Sequence, residues 1–134
     1  MGDACFMDKE EDCRTSRSVY CIQCQICAKQ NPPKKSLYYG TTGRCTHSRF
    51  VEHQKALQNR TRNSALSKHQ EATHPNTQPE FQGSIVKGGI RFNVERFILE
   101  SIKISEANDD SNVNLLNQKG EWGDRGIPRL RVDQ

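Results

Sequence analysis

The sequence predicts a small α+β domain in which short strands alternate with amphipathic helices. Segments 19–23, 36–39 and 84–87 are rich in β-branched or aromatic residues, as strands are. Segments 46–58 and 91–105 carry apolar residues at helical spacing, and 64–73, which precedes Pro75, is predicted as a third helix. Only 33% of the residues are hydrophobic, so the core must be small and we expect a staple that supplements it.

The first two strands are predicted to form a hairpin. The strand 19–23 leads into a turn between Cys24 and Cys27, and the strand 36–39 ends at Gly40. The loop 29–35 contains Pro32 and Pro33, which cannot donate backbone hydrogen bonds to a sheet. The cysteine pair therefore belongs to the connection between the two strands.

Two helices are predicted after the hairpin. Thr46 or Ser48 can cap a helix that runs to about residue 58, and a second helix over 64–73 is stopped by Pro75. One side of the first helix carries Phe50, His53, Gln54 and Leu57. Arg49 and His53 are four residues apart and therefore share a face.

The clearest helical pattern is 91–105, and a last short element is expected at 113–117. The apolar residues predicted to bury one side of this helix are Phe92, Ile98, Leu99 and Ile102. Arg96 and Glu100 lie four apart on another side, where an ordinary surface ion pair is the alternative to any function for Glu100.

Domain organisation follows from these elements: a mobile leader over 1–17, a domain over 18–118 and an irregular tail over 119–134. The acidic first 13 residues lack the hydrophobic region of a signal peptide, and no apolar run is long enough to span a bilayer. We therefore expect a reducing intracellular compartment, in which the cysteines bind metal rather than form disulfides.

Positive charge is concentrated in residues 14–75, which contain eleven Lys or Arg and two acids, a balance of +9. Residues 1–13 have a balance of −4, with five acids and one Lys. The basic block is either a solvated face or, as we favour, a surface for an anionic polymer. The residues predicted to contact DNA phosphates are Lys34, Lys35, Arg44, Arg60 and Arg62.

The pairs Cys24/Cys27 and His69/His74 form a Cys2His2 set. A C-x-x-C turn brings two thiolates to one ion, and two nearby histidines complete a tetrahedron, so we predict one structural zinc per chain. The alternatives are buried free cysteines with surface histidines, or Cys21 as a ligand in place of Cys27.

The sequence contains an ordered series of tyrosine motifs and polar residues: Ser18-Val19-Tyr20, Tyr38-Tyr39-Gly40 with Thr41-Thr42, Arg49, Glu52-His53, Glu100 and Leu116-Asn117. In order and spacing this series resembles the GIY-YIG nuclease family. The Cys and His pairs narrow the resemblance to the endonuclease domain of Penelope-like retroelements. Ser18 stands where the family usually has Gly, and Tyr39 where Ile is usual.

This resemblance implies a three-stranded antiparallel sheet flanked by helices, and a metal-dependent DNA endonuclease. It implies that Glu100 holds Mg2+ or Mn2+, that Tyr20 acts as the general base or relays a proton to it, and that Tyr38 positions the attacking water. It also implies that Arg49 stabilises phosphoryl charge, that His53 shuttles a proton or contacts phosphate, and that Asn117 supports the site.

In a retroelement such an enzyme would cut target DNA in the nucleus to prime reverse transcription. We expect this chain to be an excised domain whose partners are DNA, the reverse transcriptase region of the same polyprotein and element RNA. The alternative function is a non-catalytic, zinc-stapled module that binds nucleic acid through its basic face.

Overall fold

The computed structural model describes residues 14–60 and 64–117, which form four strands and four helices. The elements in chain order are β1 (Ser16–Cys24), α1 (Gln25–Ala28), β2 (Lys35–Cys45), α2 (Thr46–Gln58), α3 (Ala65–Thr73), β3 (Phe81–Lys87), α4 (Asn93–Asp109) and β4 (Val113–Leu115). The α+β class and the helices flanking the sheet are confirmed.

The sheet is mixed and four-stranded, in the order β3-β1-β2-β4, so the prediction of a three-stranded antiparallel sheet is wrong. β1 pairs antiparallel with both β2 and β3. β4 adds to the free edge of β2 in parallel orientation, with Lys35 opposite Val113. The connection from β3 through α4 is long enough to return the chain in the direction of β2, as a parallel pair requires.

The hairpin strands are longer than the sequence pattern predicts, because β2 continues through Gly40 to Cys45. Gly40 pairs with Tyr20 across the sheet. A Cβ at Gly40 would lie 2.5 Å from the Tyr20 hydroxyl oxygen, so this glycine accommodates the tyrosine instead of ending the strand. β1 also begins at Ser16, two residues before the predicted domain boundary.

The core lies against the sheet face that carries Tyr20, Ile22 and Tyr38, three residues that are almost completely buried. Phe50 and Leu57 of α2 and Leu66 of α3 join them. α2 therefore buries the side that its spacing predicts, and α3 begins after Ser64, whose hydroxyl accepts from the backbone N–H of Ser67. Capping by a serine at this position satisfies a free N–H of the first turn.

The orientation of α4 differs from the prediction. Its buried residues are Arg96, Glu100, Ile104 and Ala107. Leu99 is half-buried, whereas Phe92, Ile98 and Ile102 are exposed. The apolar spacing identified the helix but not its inner face, because the buried face includes two charged side chains.

Residues 1–13, 61–63 and 118–134 lie outside the described part of the chain, so the predicted tail and most of the predicted leader fall outside it as well. Among the described residues, no helix combines the length and the apolar character needed to cross a membrane.

Candidate metal centre and polar cluster

The fold brings the four predicted zinc ligands together. Cys24 ends β1, Cys27 lies in α1, His69 lies in α3 and His74 caps the end of α3. All four are buried, and one ligand atom from each lies within 4.8 Å of all the others. The predicted Cys2His2 cluster is thus confirmed as a possible metal site, with Cys27 rather than Cys21 as its second thiol.

The spacing of these atoms suits a tetrahedral zinc. Cys27 Sγ is 3.4 Å from His69 Nε2 and 3.3 Å from His74 Nε2. Zinc bonds of about 2.3 Å to sulfur and about 2.0 Å to nitrogen separate such ligands by roughly 3.6 Å. Two thiols and two imidazoles, fully enclosed by protein, form the donor set of a structural site rather than a catalytic one.

Burial governs the ionisation of the ligands. It raises the pKa of the Cys24 thiol to about 11, so a nearby cation is needed to hold the thiolate. Burial, and secondly the charge of neighbouring His74, lower the pKa of His69 and favour the neutral ring that binds metal. Cys21, whose pKa is raised to about 11 mainly by burial, is hydrogen-bonded to Tyr39 instead.

Gln70 holds the segment that carries His74, a role the sequence analysis missed. Its Nε2 donates to the backbone oxygens of His74 at 2.8 Å and Thr77 at 2.7 Å. This bridge fixes the chain where α3 ends. A glutamine between two predicted ligands was the available signal.

A second buried group forms around His53. The Tyr20 hydroxyl is 2.9 Å from His53 Nε2, and the Tyr38 and His53 ring centroids are 5.4 Å apart. Phe50 packs edge-on against Tyr20, with ring centroids 5.1 Å apart. Arg49 hydrogen-bonds the Tyr20 side chain, and Tyr38 lies near enough to raise the pKa of the Arg49 guanidinium. We call Tyr20, Tyr38, Arg49 and His53 the polar cluster; four predicted site residues thus lie together.

The ionisation of His53 is strongly shifted. Burial first, and then the positive charge of Arg49, lower the pKa of His53 to about 3, although Glu52 opposes this shift. The ring is therefore neutral near pH 7 and can accept a hydrogen bond from the Tyr20 hydroxyl at Nε2. Such a ring can orient the Tyr20 hydroxyl.

Arg49 keeps its charge despite partial burial. Burial alone would lower the pKa of its guanidinium, but Tyr20, Glu52 and Tyr38 outweigh that effect and raise it. The side chain remains 30% exposed. A permanent cation therefore reaches the surface beside the tyrosines.

Glu52 connects Arg49 to Arg44, a contact that the sequence analysis did not single out. Its carboxylate accepts from Arg44 Nη2 at 2.8 and 3.0 Å and from Arg49 Nη1 at 2.9 Å. Burial tends to raise the pKa of Glu52, but the two arginines lower it overall. The signal was its position three residues after Arg49, which places both on one helical face.

Ser18, at the position where the GIY-YIG resemblance would place a glycine, hydrogen-bonds to the start of α2. The Thr46 hydroxyl donates to the Thr15 carbonyl oxygen at 2.6 Å, so its oxygen can accept from Ser18 Oγ, 2.8 Å away. All three residues lie where β1 meets the start of α2. Ser18 thus ties the strand that carries Tyr20 to the helix that carries His53.

The side chain of Asn117 hydrogen-bonds the backbone of β2. Its Oδ1 accepts from the Tyr39 N–H at 2.9 Å, and its Nδ2 donates to the Tyr39 carbonyl at 2.8 Å. The amide thereby extends the pairing of β4 along the edge of β2, beside Tyr38. The role of Asn117 at a catalytic site stays a prediction.

Glu100 lies on α4 and is fully buried. The nearby Arg96 is also buried and donates to the Ile90 carbonyl oxygen and to Asn93 Oδ1. The surface ion pair considered as the alternative is therefore excluded by burial. A carboxylate without exposed surface can bind a hydrated cation only after its neighbours move. Among the described residues, no second cluster of three or more possible metal ligands is present at Glu100 or elsewhere.

The predicted DNA-contacting residues lie on the surface where they are described. Lys34 and Lys35 are exposed, Arg44 pairs with Glu52, and Arg60 pairs with Glu71 at 2.8 Å. Arg62 lies outside the described residues. The two acids of the basic block thus neutralise arginines locally, while Lys34 and Lys35 are exposed to solvent.

No protein-family model, curated protein or solved structure matches this chain. The resemblance to GIY-YIG nucleases therefore stays a prediction that depends on the residues themselves.

Proposed function

We propose that this domain is a metal-dependent DNA endonuclease, stapled by zinc, that hydrolyses phosphodiester bonds. The observation that supports the proposal is the polar cluster, in which two tyrosines contact a neutral histidine beside a surface arginine. Packing alone needs no such combination, because buried polar groups and a cation cost free energy unless they are paired.

Tyr20 is the residue we assign to the attacking water. The hydrogen bond to His53 orients its hydroxyl, and the charge of Arg49 would stabilise partial phenolate character in Tyr20. A phenolic oxygen held in this way can accept a proton from water or relay it. Tyr38, on the other side of the His53 ring, would help to position that water.

Arg49 is assigned to the phosphoryl oxygens, because a guanidinium forms strong paired hydrogen bonds with phosphate. Glu52 occupies this guanidinium in the free protein. A substrate phosphate would take the place of its carboxylate.

Glu100 is the residue we assign to a divalent cation, with Asn117 as a supporting residue. Mg2+ or Mn2+ would supply neutralisation of charge at the scissile phosphate. Because Glu100 is fully buried, its access to substrate requires movement of α4 or of the side chains around it. In the retroelement setting, the cut would prime reverse transcription by a polymerase of the same polyprotein.

Plasmid cleavage in the presence of Mg2+, with and without EDTA, tests this function. The wild-type chain should convert supercoiled plasmid to nicked or linear forms only with free Mg2+. Glu100→Gln preserves shape but removes the charge, so cleavage should fall by several orders of magnitude while DNA affinity holds or rises. Wild-type cleavage by Glu100→Gln would refute the role of this residue.

Arg49→Ala and Arg60→Ala are a matched pair for the same assay, because each removes one arginine that contacts a glutamate. Arg49→Ala should abolish cleavage even at saturating DNA, whereas Arg60→Ala should reduce only affinity. Equal effects on cleavage would contradict a role for Arg49 at the reacting phosphate.

A non-catalytic nucleic-acid-binding module is the second candidate, and the complete burial of Glu100 favours it. Such a module would use the same zinc staple and basic surface. It predicts binding without cleavage in Mg2+ and in Mn2+, with the zinc content of the protein verified.

A further inference from the structure

The outer face of α4 carries an apolar stripe. The exposed large hydrophobic residues of the described structure are Phe92 (58%), Val94 (58%), Ile98 (39%) and Ile102 (47%), all on α4 or at its N-cap. Val94, Ile98 and Ile102 are spaced four apart and so align along one side of the helix. An exposed apolar group of this kind, concentrated on one element, is typical of an interaction surface.

The stripe lies opposite the buried side of the helix. At 100° per residue, Ile98 lies 200° from Glu100 and from Arg96, two residues that face the sheet. α4 thus turns two charged side chains inward and three aliphatic ones outward. The packing of the domain itself does not require the outward residues to be apolar.

The charges at the two ends of α4 are complementary to each other. Lys87 and Arg91 are exposed before the helix, where Glu95 of the first turn offsets one of the two positive charges. Glu106, Asp109 and Asp110 are exposed at its end, and among the described residues only Glu106 of these three has a nearby cation, Lys103 at 3.6 Å. The last turn contains no basic residue. Acids at a helix C-terminus oppose the helix dipole, and a basic N-terminal end of another helix would relieve that repulsion.

We propose that the stripe is a docking surface for a second copy of this chain, with the two α4 helices packed antiparallel about a two-fold axis at Ile98. Each Val94 then meets the partner's Ile102, and the acidic end of one helix meets the basic end of the other. A two-fold interface requires such self-complementarity. The two ends of α4 carry charges that complement each other in an antiparallel pair. This self-complementarity favours a second copy of the chain over a partner of unrelated sequence.

Sedimentation equilibrium of the full chain over a range of micromolar concentrations tests the proposal. The wild-type mass should rise from monomer to dimer. Ile98→Glu places two carboxylates against each other at the axis and should raise the dissociation constant by about a hundredfold. Gln58→Glu, at the exposed end of α2, adds the same charge elsewhere and should leave the constant unchanged.

Zinc content and circular dichroism of both variants should match those of the wild type, since Ile98 is exposed. A wild-type chain that stays monomeric throughout, or an Ile98→Glu variant that dimerises like the wild type, overturns the proposal. A monomeric wild type would refute the dimer even if another segment of the chain or another partner covers the stripe.

Disulfide trapping tests the orientation. Ile98→Cys should cross-link to itself, while Val94→Cys should cross-link only when mixed with Ile102→Cys. The wild type is the control for the cysteines already present. Self-linking of Val94→Cys without Ile102→Cys would indicate parallel helices and refute the proposed geometry.

Discussion

Glu52 is an internal competitor for the surface that we assign to phosphate. Its carboxylate bridges Arg44 and Arg49, and all three side chains are partly exposed. A carboxylate and a phosphate bind a guanidinium with similar geometry. The free protein therefore keeps its candidate phosphate contact occupied by its own acid.

Glu52→Gln should strengthen DNA binding and raise cleavage at saturating DNA, because Arg49 is released. Glu71→Gln is the matched control, since it removes the same charge from the Arg60 pair on the same basic surface. Binding isotherms and single-turnover cleavage measure both effects. If the two variants behave alike, Glu52 acts only through net charge.

His53 should remain neutral from pH 8 to pH 5, because its pKa is about 3. The ring carbon and proton chemical shifts should therefore stay constant over this range. The unfolded chain takes up this proton near pH 6.5. Acidification from 6.5 towards 3 thus lowers the free energy of unfolding, and stability from this source is complete above 6.5. An inflection of the His53 signals near pH 6.5 would contradict the burial argument.

Among the elements, α3 and the turn after β1 meet at the candidate metal centre. Two of its ligands come from the β1–α1 turn and two from α3 and its C-cap. A single ion bound there would join segments more than 40 residues apart, as the separation of Cys27 and His69 shows. Its removal would leave four polar groups buried without a common partner.

Cys27→Ser should remove zinc and much of the folding free energy. Structural zinc contributes on the order of 10 kcal/mol apparent, comparable with the total stability of a small domain. Cys45→Ser, outside the cluster, should retain one zinc per chain and melt close to the wild type. Metal analysis and thermal denaturation provide the measurements; a folded wild-type protein without zinc would refute the site.

Local spacing explains which elements could be predicted. The Cys24/Cys27 turn and the His69/His74 segment each place two ligands by short-range geometry. α2 carries a clear apolar side, although its N-cap is Cys45 rather than the expected Thr46 or Ser48, and α3 has a serine cap. Long-range packing decided the rest. Gly40 leaves room for the Tyr20 side chain across the sheet. β4 pairs with the edge of β2 because α4 returns the chain to that side of the sheet. Neither effect leaves a periodic pattern in the sequence.

α4 shows most clearly why the candidate site was only partly predictable. The spacing of its apolar residues predicts that they face the core, yet the buried side of the helix carries Arg96 and Glu100. Tyr20, Tyr38, Arg49 and His53 come from a hairpin and the helix that follows it, so sequence order nearly fixes their proximity. Glu100 comes from a distant helix, and its burial depends on the packing of the whole domain.

At the scale of the whole molecule, the described cations of the basic block differ in whether an acid already pairs with them. The basic block retains Lys34 and Lys35 as exposed cations, while Arg44 and Arg60 are held by Glu52 and Glu71. On the proposed function, DNA would contact these two lysines at once but would have to displace the two acids to reach the arginines. The lysines should therefore contribute most to the first, sequence-independent binding.

Replacing Lys34, Lys35, Arg44 and Arg60 together by Ala should weaken binding to all DNA sequences alike. Each cation that neutralises a phosphate releases condensed counterions, so the slope of log K against log salt should become shallower by about 0.9 for each such cation removed. Lys103→Ala, on α4 and paired with Glu106, is the control outside this surface. Binding titrations at several salt concentrations measure the slope. An unchanged slope in the fourfold variant would mean that DNA follows another surface, and the polar cluster would then need a substrate that reaches it from elsewhere.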